Sequence, residues 1–191
     1  MSVRQTMVYC SVATVIGIVT TLYPNELETS KRGLELIASY ENCLSCTYKD
    51  HIGVGTIGIG STRGLDGKPV KDGVKLTDQQ VAELFIRDVK EAEQCVITYF
   101  NGEYMPQSVF DSTTSLVYNN GCYGTRWNKK ANRPTWIARH AQAKDWVNVC
   151  YRFSDFINAG GQPSKGLKNR RAKEQAYCME EVYAGTYQVT K

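Results

Sequence analysis

Four glycines within eight residues, Gly53, Gly55, Gly58 and Gly60, constrain this chain more than any other feature. They interrupt the β-prone stretch Tyr48 to Gly60, YKDHIGVGTIGIG. Glycine at that density excludes a stable helix. It predicts a short β-meander whose turns use backbone angles that other residues resist. Just upstream, Leu34, Ile37, Ala38 and Glu41 recur at i, i+3, i+4 and i+7, the signature of one helix face. Ser30 suits the cap position, so a helix is expected from Ser30 to about Glu41.

The stretch Glu41 to Thr62 therefore brings together an acid at a helix end and, on a hairpin, Asp50 and Thr56. Glu41 closes an apolar stripe. Partial desolvation there favours the protonated form, which suits a proton donor. Two carboxylates and a hydroxyl in this setting suit the splitting of a glycosidic bond with water.

Residues 7–23, MVYCSVATVIGIVTTLY, form an uncharged run between Arg4 and the acids Glu26 and Glu28. As a helix the run spans ~25 Å at ~1.5 Å per residue, short of a ~30 Å hydrocarbon core. Ser11, Ala13, Thr14, Gly17, Thr20 and Thr21 dilute its Val and Ile. A segment so weakly apolar is able to insert and later leave a bilayer. The preceding Arg4 directs the N-terminus to the cytoplasm and the remainder outside. Thr20 to Pro24 makes a poor cleavage site, so retention is expected over cleavage. Seven cysteines fit an oxidising compartment, and the odd number leaves one thiol unpaired or exchanging.

Thr77 and Gln80 form a capping box. It opens a helix to about Tyr99, with Val81, Leu84, Phe85, Ala92, Cys95, Val96 and Tyr99 inward. Such a helix is long enough to join a β-rich lobe to a helical one. Pro106 opens another helix, with Val109, Phe110, Thr113, Leu116 and Val117 inward, ended at Asn119-Asn120-Gly121. Arg126 to Arg133 is a basic loop. Helical sequence runs from Pro134-Thr135 through His140 and continues from Lys144 to Phe153. Ala159 to Pro163 is a turn, and a basic helix from about Gly166 to Val182 follows.

Charge is uneven. From Gly121 to Lys173, twelve Lys and Arg face two acids; from Asp72 to Asp111, eight acids face three bases. The basic half suits an anionic polymer such as nucleic acid, an anionic membrane or the cell wall. The aromatic residues do not form an RNA-binding signature, so nucleic acid is not expected. His51 and His140, expected at the surface, are too few to build a histidine-based site. Cys43-x-x-Cys46 lacks the partner cluster of a zinc site and the βαβ context of a redox motif. No metal and no cofactor are expected.

The spacing of Glu41, Asp50 and Thr56 resembles the Glu–Asp–Thr triad of phage-type lysozymes, a glycoside hydrolase family. The neighbours agree: Tyr48-Lys49-Asp50, Gly53-Val54, and Thr56-Ile57-Gly58-Ile59-Gly60. Val117-Tyr118-Asn119-Asn120-Gly121 resembles the family's second-lobe motif. Ala159-Gly160-Gly161 followed by Gly166-Leu167-Lys168-Asn169-Arg170-Arg171 resembles its C-terminal one. Two positions depart: Ser61 stands where the family often has His, and Asn42 where Gly is common. The first bears on how the hairpin is braced. Residues 7–23 resemble the signal-arrest-release segments of some phage endolysins.

The resemblance implies an α+β, lysozyme-like fold: a small β-hairpin lobe and a helical lobe joined by a long helix, plus an N-terminal membrane-export helix. The boundaries expected are 1–25, 26–76, 77–100 and 101–191. It implies hydrolysis of the β-1,4 bond between N-acetylmuramic acid and N-acetylglucosamine in peptidoglycan. Glu41 would act as acid, Asp50 as the ion that orients water, and Thr56 as a holder of that water. Asn119 and Gly58 are candidate substrate contacts, and Arg170 or Arg171 a candidate partner of Glu41. The expected partners are peptidoglycan and, transiently through residues 7–23, the inner membrane of the host; the expected state is a monomer exported to the periplasm. The alternatives are a lytic transglycosylase and a non-catalytic wall-binding protein.

The resemblance also implies a Cys150–Cys178 bridge, which leaves Cys95 to Cys122. Cys10, Cys43 and Cys46 remain as regulatory candidates. A Cys43–Cys46 bond would constrain the loop behind Glu41. Cys10, once out of the membrane, would attack that bond and free the site.

Overall fold

The computed structural model describes residues 9–49 and 53–184. The chain divides into two compact units, the first of residues 1–27 and 37–88 and the second of 28–36 and 89–191. The fold is α+β, with short antiparallel hairpins among helices.

In the first unit, helix α1 covers Val12–Leu22 and buries Val15, Ile16 and Val19. Its start differs from the expected helix over 7–23. Ser11 caps it, the hydroxyl accepting from the Thr14 N–H at 3.2 Å. Ahead of the cap the chain is extended: Tyr9 bridges Leu44, and the Cys10 N–H donates to the Cys43 carbonyl at 3.0 Å. None of the described helices is long and apolar enough to cross a membrane.

Strands β1 (Cys43–Lys49) and β2 (Gly55–Ile59) pair antiparallel, with Leu44 opposite Gly58 and Tyr48 opposite Thr56. The register slips between Leu44 and Tyr48, so β1 bulges there. The bulged part pairs instead with the following loop: the Thr47 N–H donates to Val74 at 3.1 Å and the Leu76 N–H to Ser45 at 2.7 Å. The strand thus begins at Cys43, ahead of the expected Tyr48.

Two helices carry the chain from one unit to the other. Helix α2 (Lys31–Ala38) has Ser30 as its cap, the hydroxyl accepting from the Gly33 N–H at 3.1 Å. It ends at Ala38, not at Glu41. Helix α3 (Asp78–Phe100) shows the capping box in both directions: Thr77 N–H to Gln80 at 3.0 Å and Gln80 N–H to Thr77 at 3.2 Å. Tyr99 is 42% exposed, and Phe100 takes the inward place.

The second unit packs α4 (Gln107–Asn120), α5 (Cys122–Arg126), α6 (Trp136–Gln142), α7 (Trp146–Tyr151) and α8 (Lys165–Ala184) around one apolar core. Phe100, Val109, Leu116, Ile137, Val149 and Phe153 are wholly buried in it. The basic loop is a hairpin, β3 (Trp127–Asn128) with β4 (Arg133–Pro134). A second hairpin, β5 (Asn158–Ala159) with β6 (Gln162–Pro163), precedes α8. The expected continuation from His140 to Phe153 breaks at Lys144, whose φ of +55° no helix accepts. Asp145 then caps α7, accepting from the Asn148 N–H at 3.3 Å. His140 is half-buried rather than a surface residue, its Nδ1 3.1 Å from Asp145. Cys95–Cys122 and Cys150–Cys178 are bonded, as is Cys10–Cys43.

The buried face of α8 carries charge beside Cys178 and Met179. Arg170, Arg171 and Glu174 are all buried. Arg170 Nε donates to Glu174 Oε1 at 3.0 Å, Arg171 Nη2 at 3.2 Å and the Ser115 hydroxyl at 2.6 Å. Arg171 Nε lies 2.8 Å from Glu174 Oε2. Burial pushes the Glu174 carboxyl up, and the two guanidiniums pull it down. Removing the acid would leave two buried cations. Glu174→Gln is therefore expected to cost roughly 3–5 kcal/mol, measured by denaturant unfolding.

Candidate functional site

Glu41 stands in a bend three residues beyond α2. The turn there is still hydrogen-bonded, with the Tyr40 N–H donating to Ile37 at 3.4 Å and the Glu41 N–H to Ala38 at 3.2 Å. The helix frays because no residue past Ala38 returns to the apolar face until the strand begins. Leu34, Ile37 and Ala38 are buried as the stripe requires.

The Glu41 carboxylate lies against the turn that ends β2. A Cβ built on Gly60 would sit 3.1 Å from Glu41 Oε2 and 3.5 Å from its Cδ. Gly60 has φ +82°, a conformation L side chains rarely adopt. The glycine thus serves both the turn and the close approach of the acid. On β2, two register positions before Gly58, Thr56 is buried, and its hydroxyl donates to the Val54 carbonyl at 3.2 Å. Asp50, and with it His51, lies outside the described residues. Within the described part, the hairpin strand holding Thr56 and the turn touching Glu41 are thus continuous.

Beyond that turn, Ser61 closes a tight loop with Ile57, each N–H donating to the other's carbonyl at 2.9 and 3.0 Å. Its hydroxyl donates to Asp88 on α3. Arg87 reaches the same loop, donating to the Gly64 carbonyl at 2.6 Å and the Arg63 carbonyl at 3.0 Å. Ser61 therefore braces the hairpin through a neighbouring carboxylate. Sequence reasoning missed Asp88, Arg87 and the contact at Gly60. An Arg-Asp pair on a helix carries no local signal of the loop it will hold.

The other expected positions are divided between the two units. Gly58 is buried in β2 with φ +65°, and a Cβ there would meet Val81 at 3.4 Å. Packing against α3 accounts for the glycine. Asn119 is exposed at the end of α4, its Oδ1 accepting from Arg171 at 3.1 Å. Arg170 and Arg171 pair with Glu174, as described above. Cys10 is bonded to Cys43, with Cα atoms 5.1 Å apart, and Cys46 lies outside the disulfides, in the bulge of β1. No cluster of His, Cys, Asp and Glu able to hold a metal occurs among the described residues.

Comparison with known proteins places the chain among phage enzymes. The phage lysozyme family model matches residues 38–174. The SAR-endolysin of Haemophilus phage HP1 is 40% identical over 158 residues, covering 81% of this chain and 82% of that protein. The active form of the phage P1 endolysin Lyz superposes with a TM-score of 0.82 at 37% identity, over 91% of this chain and 96% of that one. The secreted inactive form of the same endolysin gives 0.57 at 33% identity, over 81% and 97%.

Gly60→Ala tests the contact geometry. The left-handed backbone with a Cβ is expected to cost about 1–2 kcal/mol by thermal or denaturant melting. The Glu41 carboxylate is expected to shift away from the turn in a crystal structure of the variant.

Proposed function

The chain belongs to the phage lysozyme family, glycoside hydrolases that include the endolysins, and from that premise we propose that Glu41, Asp50 and Thr56 cleave peptidoglycan. The bond cut is the β-1,4 link from N-acetylmuramic acid to N-acetylglucosamine. The observation that carries the proposal is the Glu41 carboxylate held against Gly60, on the hairpin whose strand bears Thr56.

Glu41 gives its proton to the leaving oxygen. Asp50 stays ionised, orients water and stabilises positive charge developing on the sugar ring. Thr56, fixed on β2, helps hold the water. Inversion is the outcome we infer, which needs room for water between carboxyl groups ~6.5–9.5 Å apart. Products that keep the β-anomer would refute it. Asn119 and the backbone of Gly58 are the proposed substrate contacts, and Arg170 or Arg171 the proposed influence on Glu41 ionisation.

We also propose that the protein is monomeric and is exported while tethered to the inner membrane by residues 7–23, acting in the periplasm after release. The support is the likeness of the chain to SAR-endolysins and the weakly apolar, uncharged run of residues 7–23, of which α1 is capped to fold in water. Cysteine exchange then follows release. The Cys10 thiolate attacks Cys43 Sγ, a Cys43–Cys46 bond breaks, and Cys46 leaves as the thiolate. One disulfide replaces another, so no oxidant is consumed. The Cys10–Cys43 bond supports this order, as does the higher superposition on the active than on the inactive relative.

Glu41→Gln is expected to lower cell-wall clearing by ~10²–10⁴-fold, the usual worth of a general acid. Reducing-end analysis of the wild-type products separates the chemistry: free muramic ends are expected, and anhydromuramic ends would mean a transglycosylase. An unchanged rate in the variant would remove Glu41 as the acid, and no clearing by the wild type would leave a binding module. Cys10→Ser is expected to give released, folded protein without activity; full activity in it would end the exchange proposal.

A further inference from the structure

Trp136 opens α6 and is 45% exposed. Three guanidiniums converge on its ring: Arg139 at 4.9 Å from the centroid, Arg133 and Arg152 each at 5.6 Å. The described ion pairs give this group one carboxylate, Asp155, 3.8 Å from Arg152. Three cations around one ring repel one another, and the indole offsets only part of that. The next residues in space continue the pattern. Arg126 lies 4.3 Å from the Tyr99 ring and 5.5 Å from that of Tyr123, both exposed. Lys129 and Lys130 are exposed at the tip of the β3–β4 hairpin.

The scaffold under this patch is rigid. Ile137 and Ala138, next to Trp136, are buried, and Thr135 caps α6 from the end of β4. An exposed tryptophan is thus held outward by a fixed helix, at no visible benefit to the core.

We propose that Trp136 with Arg133, Arg139 and Arg152 is a docking surface for anionic phospholipid bilayers. Guanidinium forks match phosphate oxygens, and their edges stay open when a face rests on a ring. The indole, apolar with one polar N–H, belongs at headgroup depth. The arrangement disfavours a sugar-stacking site, because guanidiniums already crowd the ring. The proposal does not depend on the reaction proposed at Glu41.

Co-sedimentation of the full-length, disulfide-intact protein with vesicles tests it. One set is phosphatidylcholine alone and the other contains one third phosphatidylglycerol. The wild type is expected to bind the second set and to lose binding in high salt. Arg133→Gln with Arg139→Gln and Arg152→Gln should weaken binding about a hundredfold, at roughly fivefold per cation near the surface. Trp136→Ala should weaken it on its own. Replacing Lys68, Lys165 and Lys168 by Gln removes equal charge elsewhere and should have far less effect. Arg→Lys at the three positions keeps the charge and should retain most binding, which guards against loss through misfolding. Equal loss in the two Gln triples would overturn the proposal, as would binding indifferent to lipid charge. So would a patch variant that fails on purified wall sacculi while still binding anionic vesicles, since the patch would then serve the wall.

Discussion

One buried carboxylate anchors the first turn of α2, the helix that precedes Glu41. Asp111 is wholly buried on α4 and accepts from the Ser30 N–H at 3.0 Å, the Ser30 hydroxyl, the Gln107 amide at 2.8 Å and the Tyr177 hydroxyl at 2.8 Å. A buried carboxylate is tolerable only with its lone pairs so occupied. Burial pushes the Tyr177 hydroxyl up to about 12, so it remains a donor at any physiological pH. Ser30 is also the cap of α2, which ties the first turn of that helix to Asp111. Gly33 lets them meet: a Cβ there would lie 2.5 Å from Asp111 Cγ. Helix α2 is eight residues long, and Glu41 follows three residues after its end.

Helix α1 divides its sequence into a buried apolar face and an exposed polar one. In water it buries Val15, Ile16 and Val19 and leaves Thr14, Gly17, Thr20 and Thr21 outward. These are the residues that weaken it as a membrane span. The Thr20 hydroxyl returns to the Ile16 carbonyl at 3.0 Å, a bond that serves equally in lipid. Dilution of the apolar run therefore has a structural counterpart: the polar residues lie on the face that the folded helix shows to solvent. The bond from Cys10 to Cys43 closes 33 residues of sequence and lowers the entropy that ordering α1 would otherwise cost.

Much of this was legible from pattern alone, because it rested on local chemistry. The capping box at Thr77 and Gln80, the stop at Gly121 and the apolar stripe of α2 each act within one helical turn. What sequence hid depends on partners far away in the chain. The sequence shows α8 as a basic helix, and nothing local marks Arg170, Arg171 and Glu174 as buried together, where Ser115 and Asn119 on α4 receive them. Asp111 read as one more acid in a negative stretch. Lys144 gives no sign of a left-handed break, since Gly or Asn would have been the usual marker. The basic loop ending at Arg133 is legible in the sequence, but only the fold brings Arg139 and Arg152 with it to the Trp136 ring.

The position of the cysteines in β1 decides what kind of control they exert. Cys43 and Cys46 both lie within the strand, not in a loop behind Glu41. Residues three apart in an extended strand stand about 10 Å apart at ~3.3 Å per residue, whereas a disulfide needs Cα atoms within ~7 Å. The bulge between Leu44 and Tyr48 relaxes the strand, but Cys46 is held there by its pairing with Lys75. A Cys43–Cys46 bond is thus incompatible with β1 as it stands. Forming it would break the pairing of Leu44 with Gly58 and of Cys46 with Lys75 before it could move Glu41 at all. Control by these thiols would therefore act on the existence of the hairpin. Glu41 and Thr56 would lose their shared frame together, so the off state would need no separate block at either residue.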